Sequence, residues 1–533
     1  MLIAAVALLC ASVFPQPIAP PTPPPPLTPD TLLVAADLQS DLAVLRRAYS
    51  ELHPGLYRSN TPLQVASAFD RLSTTWSKDR SLRDAYLDLA AVLASFKCGH
   101  SYPNFFNQPK PISDALFNGT PRVPFAFRWI DREIVVTRNF SGVDHLTPGS
   151  TVTAINGVPS ATILDALTTY ARADGGNDLK RINLLDVRAD EPLETFDLFF
   201  ALRFPVAPLH AASYTLDLRT SAGTRKSITV PALSADERAA RAKASMTRTR
   251  SASPEFSFAI DGWSAHRLPD RAIVLRMDHW VVYKTTTDWR AALNSFMDTI
   301  AKDGTQNLIL DLRANEGGND CGEIILARLI DKPIVLPSSL RHVRYSAVPS
   351  DINPFLDTWD DSFRDWKAAA TPSPRPPALL GTSSAPNIQF FRLRRDNDDD
   401  PGATLSPSPG PRFTGKLWVL VSSTNSSATF QFAATVKSSK LGTLVGTTTG
   451  GNQRGINGGC FFFVRLPKSG FEVDLPLIAY TPCTPDGSDL DSVPDAGLEP
   501  DIRVATTAHH ITSGIDPELE AVLSAISATN PTK

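Results

Sequence analysis

Lys416-Leu417-Trp418-Val419-Leu420-Val421 is an unbroken apolar run with the length of a buried strand. It passes through Ser422-Ser423-Thr424-Asn425-Ser426-Ser427 into a stretch of helical character, Ala428 to Lys437. A strand that turns straight into a helix places Ser427 at the helix N-terminus, where unpaired N–H groups and the macrodipole favour negative charge. A serine there is either an N-cap or a nucleophile whose transition state is stabilised by those dipoles, and this stretch alone leaves both open.

The same pattern recurs upstream. Leu308-Ile309-Leu310-Asp311-Leu312-Arg313 reads as a strand, ends in Ala314-Asn315-Glu316-Gly317-Gly318, and is followed by a helix-like stretch from Cys321 to Leu329. Paired glycines at such a junction let backbone N–H groups face a cleft, though a tight turn would use them equally well. Ala272 to Met277 is a further apolar strand, followed by a helix around Trp289 to Ile300. Strands alternating with helices predict a mainly parallel sheet, so residues 255–533 form one large α/β unit. Within it, the Pro/Ser/Asp-rich segment 367–413, with Asp398 to Asp400, reads as a long surface loop.

Towards the N-terminus the character changes. Leu38, Leu42, Leu45, Tyr49 and Leu52 share one helical face, and a second helix runs from Ser81 to Phe96, opened by Ser81 with Asp84 three residues on. Residues 30–110 thus form a helical region ending in Lys97-Cys98-Gly99-His100-Ser101. Residues 120–232 are β-rich, with strands at Glu133 to Arg138, Tyr214 to Arg219 and Ser227 to Val230. Thr151 to Val158 alternates and turns at Asn156-Gly157, a hairpin signal, and a helix from Ser160 to Tyr170 follows. Residues 233–253 are polar, helical in look and rich in Ala and Arg, which suits a linker.

The chain of 533 residues is 42% hydrophobic and 20% charged, enough for three or four globular units. A formal net charge of -3 with no basic block excludes a nucleic-acid binder. Leu2 to Val13 is too short to span a bilayer and precedes a Pro-rich stretch, so 1–13 reads as a signal-peptide h-region and 14–29 as a semi-rigid spacer. The mature chain is then expected outside the cytoplasm without an integral membrane span. Cys98, Cys321, Cys460 and Cys483 would remain in an oxidising compartment, with Cys460–Cys483 as the first pairing to expect. None has metal-site spacing or company, so no metal is expected. The chain contains no Gly-x-Ser-x-Gly elbow, Walker loop or dinucleotide fingerprint.

Taken in order, Leu310-Asp311-Leu312-Arg313 with Gly317-Gly318, Ser427-Ala428, Leu444-Val445-Gly446 with Thr449-Gly450-Gly451, and Gly497-Leu498-Glu499-Pro500-Asp501-Ile502 resemble the signature of the tail-specific, C-terminal-processing and tricorn-type serine peptidases. The resemblance implies a multi-domain α/β protein with a crotonase-like catalytic core, a PDZ-like insertion at 120–232, no cofactor, and protein or peptide substrates. It makes Ser427 the nucleophile and the N–H groups of Gly318 and Ala428 the oxyanion hole. The lysine base of one branch of the family falls near Asn452, where this chain has none; Lys437 and Lys440 read as surface residues. The histidine branch uses a Gly-His context, which points to His100. The orienting acid falls just ahead of Gly497, making Asp495 the first choice and Glu499 the second, with water or main chain as a third arrangement. The expected activity is that of a secreted serine endopeptidase. The alternative is a non-catalytic binding protein for peptides or apolar ligands on the same scaffold, as in the interphotoreceptor retinoid-binding proteins.

Overall fold

The computed structural model describes residues 26–189, 193–205, 212–249, 256–283, 285–374, 376–380, 388–394, 401–488, 490 and 492–529. The expected h-region, most of the Pro-rich spacer and Asp398 to Asp400 lie outside these residues. No helix among the described residues is long and apolar enough to cross a membrane.

Three helices open the chain: α1 (Ala35–Leu52), α2 (Pro62–Thr75) and α3 (Leu82–Ser95). α3 starts where expected, with the Ser81 hydroxyl accepting from the Asp84 N–H at 3.0 Å. α2 was not expected from the apolar periodicity. Its signal is a capping box, Thr61 and Gln64 bonding reciprocally around Pro62.

The β-rich region is an antiparallel sheet with strand order β1 (Phe125–Ile130), β2 (Glu133–Asn139), β3 (Thr151–Ile155), β4 (Ser213–Arg219) and β5 (Arg225–Pro231). Asn156 and Gly157 both take positive φ, +50° and +76°, as a two-residue hairpin turn requires. β3 is followed by α4 (Ser160–Thr168) and α5 (Asp178–Asn183). The expected linker is instead a docked helix, α6 (Ala235–Thr249), whose buried Arg238 donates to Asp197 and Glu194 at 2.9 and 2.8 Å.

The C-terminal unit carries a seven-stranded sheet. Its members in chain order are β6 (Phe256–Ser257), β7 (Trp263–Leu268), β8 (Ala272–Met277), β9 (Asn307–Asp311), then Lys416–Val421, Thr443–Gly446 and Ile502–Arg503. The last five pair in parallel and the β6–β7 and β7–β8 pairings are antiparallel, so the mainly parallel sheet is found. α7 (Trp289–Lys302) and α8 (Cys321–Ala327) pack on one face.

A second, six-stranded sheet is built from β10 (Ser339–Val343), β11 (Leu356–Asp357), β12 (Ala370–Ser373) and β13 (Phe390–Leu393), together with Asn457–Arg465 and Glu472–Pro482. β12 and β13 belong to the expected surface loop 367–413. The run Phe390-Phe391-Arg392-Leu393 overrides that reading, because its apolar side chains are buried and the strand pairs with β10. Continuing the numbering, Lys416–Val421 is β14, Thr443–Gly446 β15, Asn457–Arg465 β16, Glu472–Pro482 β17 and Ile502–Arg503 β18.

One apolar core joins α1 to α3, the antiparallel sheet and the β16–β17 hairpin, drawing members from Leu38 to Ile478. Polar ties reinforce it: the Tyr49 hydroxyl donates to Asp474 O at 2.7 Å across 425 residues, and buried Asp41 accepts from the Lys468 and Ser469 N–H groups.

The expected Cys460–Cys483 disulfide does not form; the structure holds all four described cysteines as buried thiols. Strand register is the reason. Gly458 pairs with Ile478 and Phe461 with Pro476, so Cys460 faces 476–478. Cys483 lies at least five residues further on, about 17 Å at 3.4 Å per residue, well beyond disulfide reach.

Candidate active site

β14 is the central parallel strand, paired with β9 on one side and β15 on the other. After Val421 the chain is caught by Asn425, which is fully buried. Its Oδ1 accepts from the Ser422 N–H at 2.7 Å, and its Nδ2 donates to Leu312 O and Asn315 O at 2.6 and 2.9 Å. One side chain thus staples the turn after β14 to the turn after β9. The next helix, α9 (Ser427–Ser438), begins at Ser427 with φ +49°, the left-handed region that a serine adopts only at a cost of about 1–3 kcal/mol. The Ser427 hydroxyl makes none of the hydrogen bonds described, so it is not spent as a cap.

Facing it is the turn after β9. Asn315 Oδ1 accepts from the Gly317 N–H at 2.9 Å and its Nδ2 donates to Met277 O at 2.9 Å. Gly317 and Gly318 have φ of +119° and +132°. A Cβ on Gly317 would lie 3.0 Å from Ser427 Cβ, and one on Gly318 2.5 Å from the Trp280 carbonyl. Only glycine fits either place. Trp280 is paired to this turn by its N–H to Gly317 O (3.1 Å) and its carbonyl from the Asn319 N–H (2.8 Å). Those bonds leave the Gly318 N–H outside the pairing and without an acceptor among the described residues. The Ala428 N–H, in the first turn of α9, also has none. Two main-chain donors unspent among the described residues thus belong to the two turns that meet at the strained serine.

His100 stands on the loop after α3, half-buried, its ring 5.8 Å from that of Phe461. Burial holds its imidazole below the ordinary 6.5; Asp174 opposes the drop, Arg172 adds to it, Glu316 opposes it and Lys180 adds to it. Arg172 links the two halves of the site, donating from Nη1 to Gly99 O at 2.7 Å and to Glu316 Oε1 at 2.9 Å, the residues preceding His100 and Gly317. No direct hydrogen bond joins His100 to Ser427, and His100 Nδ1 is buried without a partner.

The two expected acids are engaged elsewhere. Asp495 Oδ1 accepts from Asn452 Nδ2 at 2.6 Å and from the Gly176 N–H at 3.2 Å, and Oδ2 pairs with Arg454 at 3.4 Å. Glu499 accepts from Thr448 and Arg503 and is 60% exposed. Neither is hydrogen-bonded to His100. Sequence reasoning missed Asp174, the carboxylate whose charge acts most on His100. Its Oδ1 accepts from the Gly99 N–H at 2.8 Å. It missed Lys180 as well, which nothing in Asp178-Leu179-Lys180-Arg181 sets apart, although in α5 the apolar Leu179 is 46% exposed and Lys180 2%. Lys437 donates to Glu499 O and Asp501, a surface role as expected.

A cleft of about 600 Å³, within the range of small-molecule and peptide side-chain sites, adjoins Ala428 and is lined largely by apolar groups including Trp280, Leu326, Phe430, Phe432 and Ile456. No group of three or more His, Cys, Asp or Glu suited to a metal occurs among the described residues.

No curated protein matches this chain. Among solved structures, mature CPAF complexed with lactacystin is similar with a TM-score of 0.58 at 15% identity, over 93% of this chain and 98% of that one. Mature CPAF alone gives 0.56 at 14%, over 93% and 99%. At these identities the likeness bears on the fold, and it spans the helical region, the β-rich region and the core together. Residues 274–504, which contain both turns and the strained serine between them, match the sequence model of peptidase family S41. Through that core the chain is similar to peptidase family S41, a likeness that supports a serine-type peptidase.

Proposed function

We propose that the protein cleaves peptide bonds through an acyl-enzyme on Ser427. The observation that carries this is the left-handed Ser427, its hydroxyl unspent among the described residues, where the Gly317-Gly318 turn closes on Ser427 and Ala428. A binding protein gains nothing from that strain, whereas a nucleophile held out of the helix by it is ready to attack. His100 takes the hydroxyl proton as Oγ bonds to the scissile carbonyl carbon. Charge developing on the carbonyl oxygen is met by the two N–H groups, and the C–N bond then breaks as His100 returns the proton to the leaving amine. Water repeats the sequence on the ester. The apolar cleft beside Ala428 receives a substrate side chain.

Three finer readings belong to the same proposal. Asp174, acting on the Gly99 N–H and through its charge, takes the place expected of Asp495 and Glu499. The β-rich unit presents a PDZ-like peptide-binding edge. The chain is exported, as the segment 1–13 suggests.

The test is fluorophosphonate labelling of the wild type, Ser427→Ala and His100→Ala, with mass mapping of the adduct. Adduct on Ser427 lost in both variants supports the reading; no adduct on folded wild type overturns it in favour of the binding-protein alternative.

A pH dependence follows from the depressed His100 pKa. The neutral ring is the active form, so kcat/KM falls as pH drops through the His100 pKa, at a value below 6.5. Because the Asp174 charge raises that pKa, Asp174→Asn is expected to move the acid limb lower still, and Asp495→Asn to leave it in place. Measuring kcat/KM against pH for the three proteins checks both.

A further inference from the structure

We propose that Lys180 is a positioning residue which, acting with Arg172 on Glu316, holds the oxyanion turn and the nucleophile turn in register. The inference rests on Ser427 being the nucleophile. Lys180 comes from α5, in the β-rich half of the chain, yet its ammonium reaches the two turns of the α/β unit. Nζ donates to Glu316 Oε1 at 2.6 Å, Thr424 O at 3.0 Å and Ser426 Oγ at 2.9 Å, which uses all three of its N–H groups. Glu316 precedes Gly317 and Ser426 precedes Ser427, so one cation grips the residue ahead of each working element. Ser426 Oγ in turn donates to Glu316 O at 3.2 Å, closing the ring of contacts.

Arg172 completes the clamp from the other side. Its two Nη atoms donate to Glu316 Oε1 and Oε2 at 2.9 and 3.3 Å, its guanidinium lies 4.4 Å from the Tyr102 ring, and Nη1 also reaches Gly99 O. The same two cations therefore register the histidine loop against both turns. A buried lysine beside a serine is also what a Ser-Lys base would look like, but the contacts assign otherwise. Burial pushes the Lys180 ammonium below its ordinary value and the Glu316 charge opposes that drop, yet Lys180 touches Ser426 rather than Ser427 and its donors are all engaged. Lys180 is buried while Glu316 keeps 40% of its side chain exposed, so it is the lysine whose charge would be costly without its carboxylate partner.

The test compares Lys180→Met, Lys180→Arg, Glu316→Gln and the double variant Lys180→Met/Glu316→Gln by rate of fluorophosphonate labelling, by kcat and KM on a peptide substrate, and by Tm. A loss of registration by about 1 Å costs on the order of 10²-fold in rate, so Lys180→Met is expected to label about 10²-fold more slowly. Its kcat should fall while KM changes little, with partial rescue in Lys180→Arg and a double variant no worse than either single one. Labelling at the wild-type rate in folded Lys180→Met, or a fall only in proportion to the folded fraction, overturns the proposal. If Lys180→Met does not fold, Glu316→Gln is read by the same criteria. Loss of the acid limb in Lys180→Met, with labelling retained in His100→Ala, would make Lys180 the base and also overturn it. Absence of adduct in the wild type itself marks failure of the nucleophile reading instead, and the clamp falls with it.

Discussion

Ser427→Ala abolishes covalent labelling and lowers kcat by about 10⁶-fold, the loss expected when the nucleophile of an acyl-transfer site is removed. Binding of uncleaved peptide survives, because the cleft and the N–H donors are untouched. The strain at this position adds a second readout. At φ +49° an alanine keeps the left-handed cost of about 1–2 kcal/mol, while glycine sheds it. Ser427→Gly is therefore expected to be inactive yet more stable than Ser427→Ala, by about 1 kcal/mol in denaturant unfolding, a reversal of their usual order in helices. An alanine variant as stable as the glycine variant would mean that the turn relaxes and the serine is not held under strain.

Gly318→Ala is the second large effect. The added methyl would fall 2.5 Å from the backbone carbonyl of Trp280, and φ +132° is closed to alanine in any case. Backbone rather than a flexible side chain meets the methyl, so the turn must move and takes its N–H with it. Loss of one oxyanion donor costs about 10²–10³-fold in kcat. KM should change far less, because the donor acts on the charged transition state more than on the bound peptide. A variant that keeps kcat while unfolding at lower temperature would assign Gly318 to packing alone.

What was legible in the sequence was local. The apolar run of β14 ending in a serine-rich turn, the glycine pair after β9, and the Asn156-Gly157 hairpin each state their conformation within about ten residues. They were found where expected. The parallel sheet followed from strands alternating with helices. What could not be read depends on register and on partners far along the chain. The β16–β17 pairing decides that Cys460 and Cys483 are kept apart. Asp495 was expected beside His100 from its place ahead of Gly497, but the Asn452 amide, the Gly176 N–H and Arg454 draw it elsewhere. Lys180 looks like a surface residue in Asp178-Leu179-Lys180-Arg181. Its burial comes from Glu316, Thr424 and Ser426, which sit more than a hundred residues downstream.

The shared core that ties α1 to α3 to the β16–β17 hairpin governs when this enzyme comes into being. The helices that carry the histidine loop leave the ribosome first, yet their apolar faces are covered by strands made hundreds of residues later. Contacts of such long sequence separation form slowly and late. A nascent chain still lacking residues 457–482 therefore has its histidine loop and its serine turn unassembled. Order of synthesis therefore delays assembly of the site until the β16–β17 hairpin has been made.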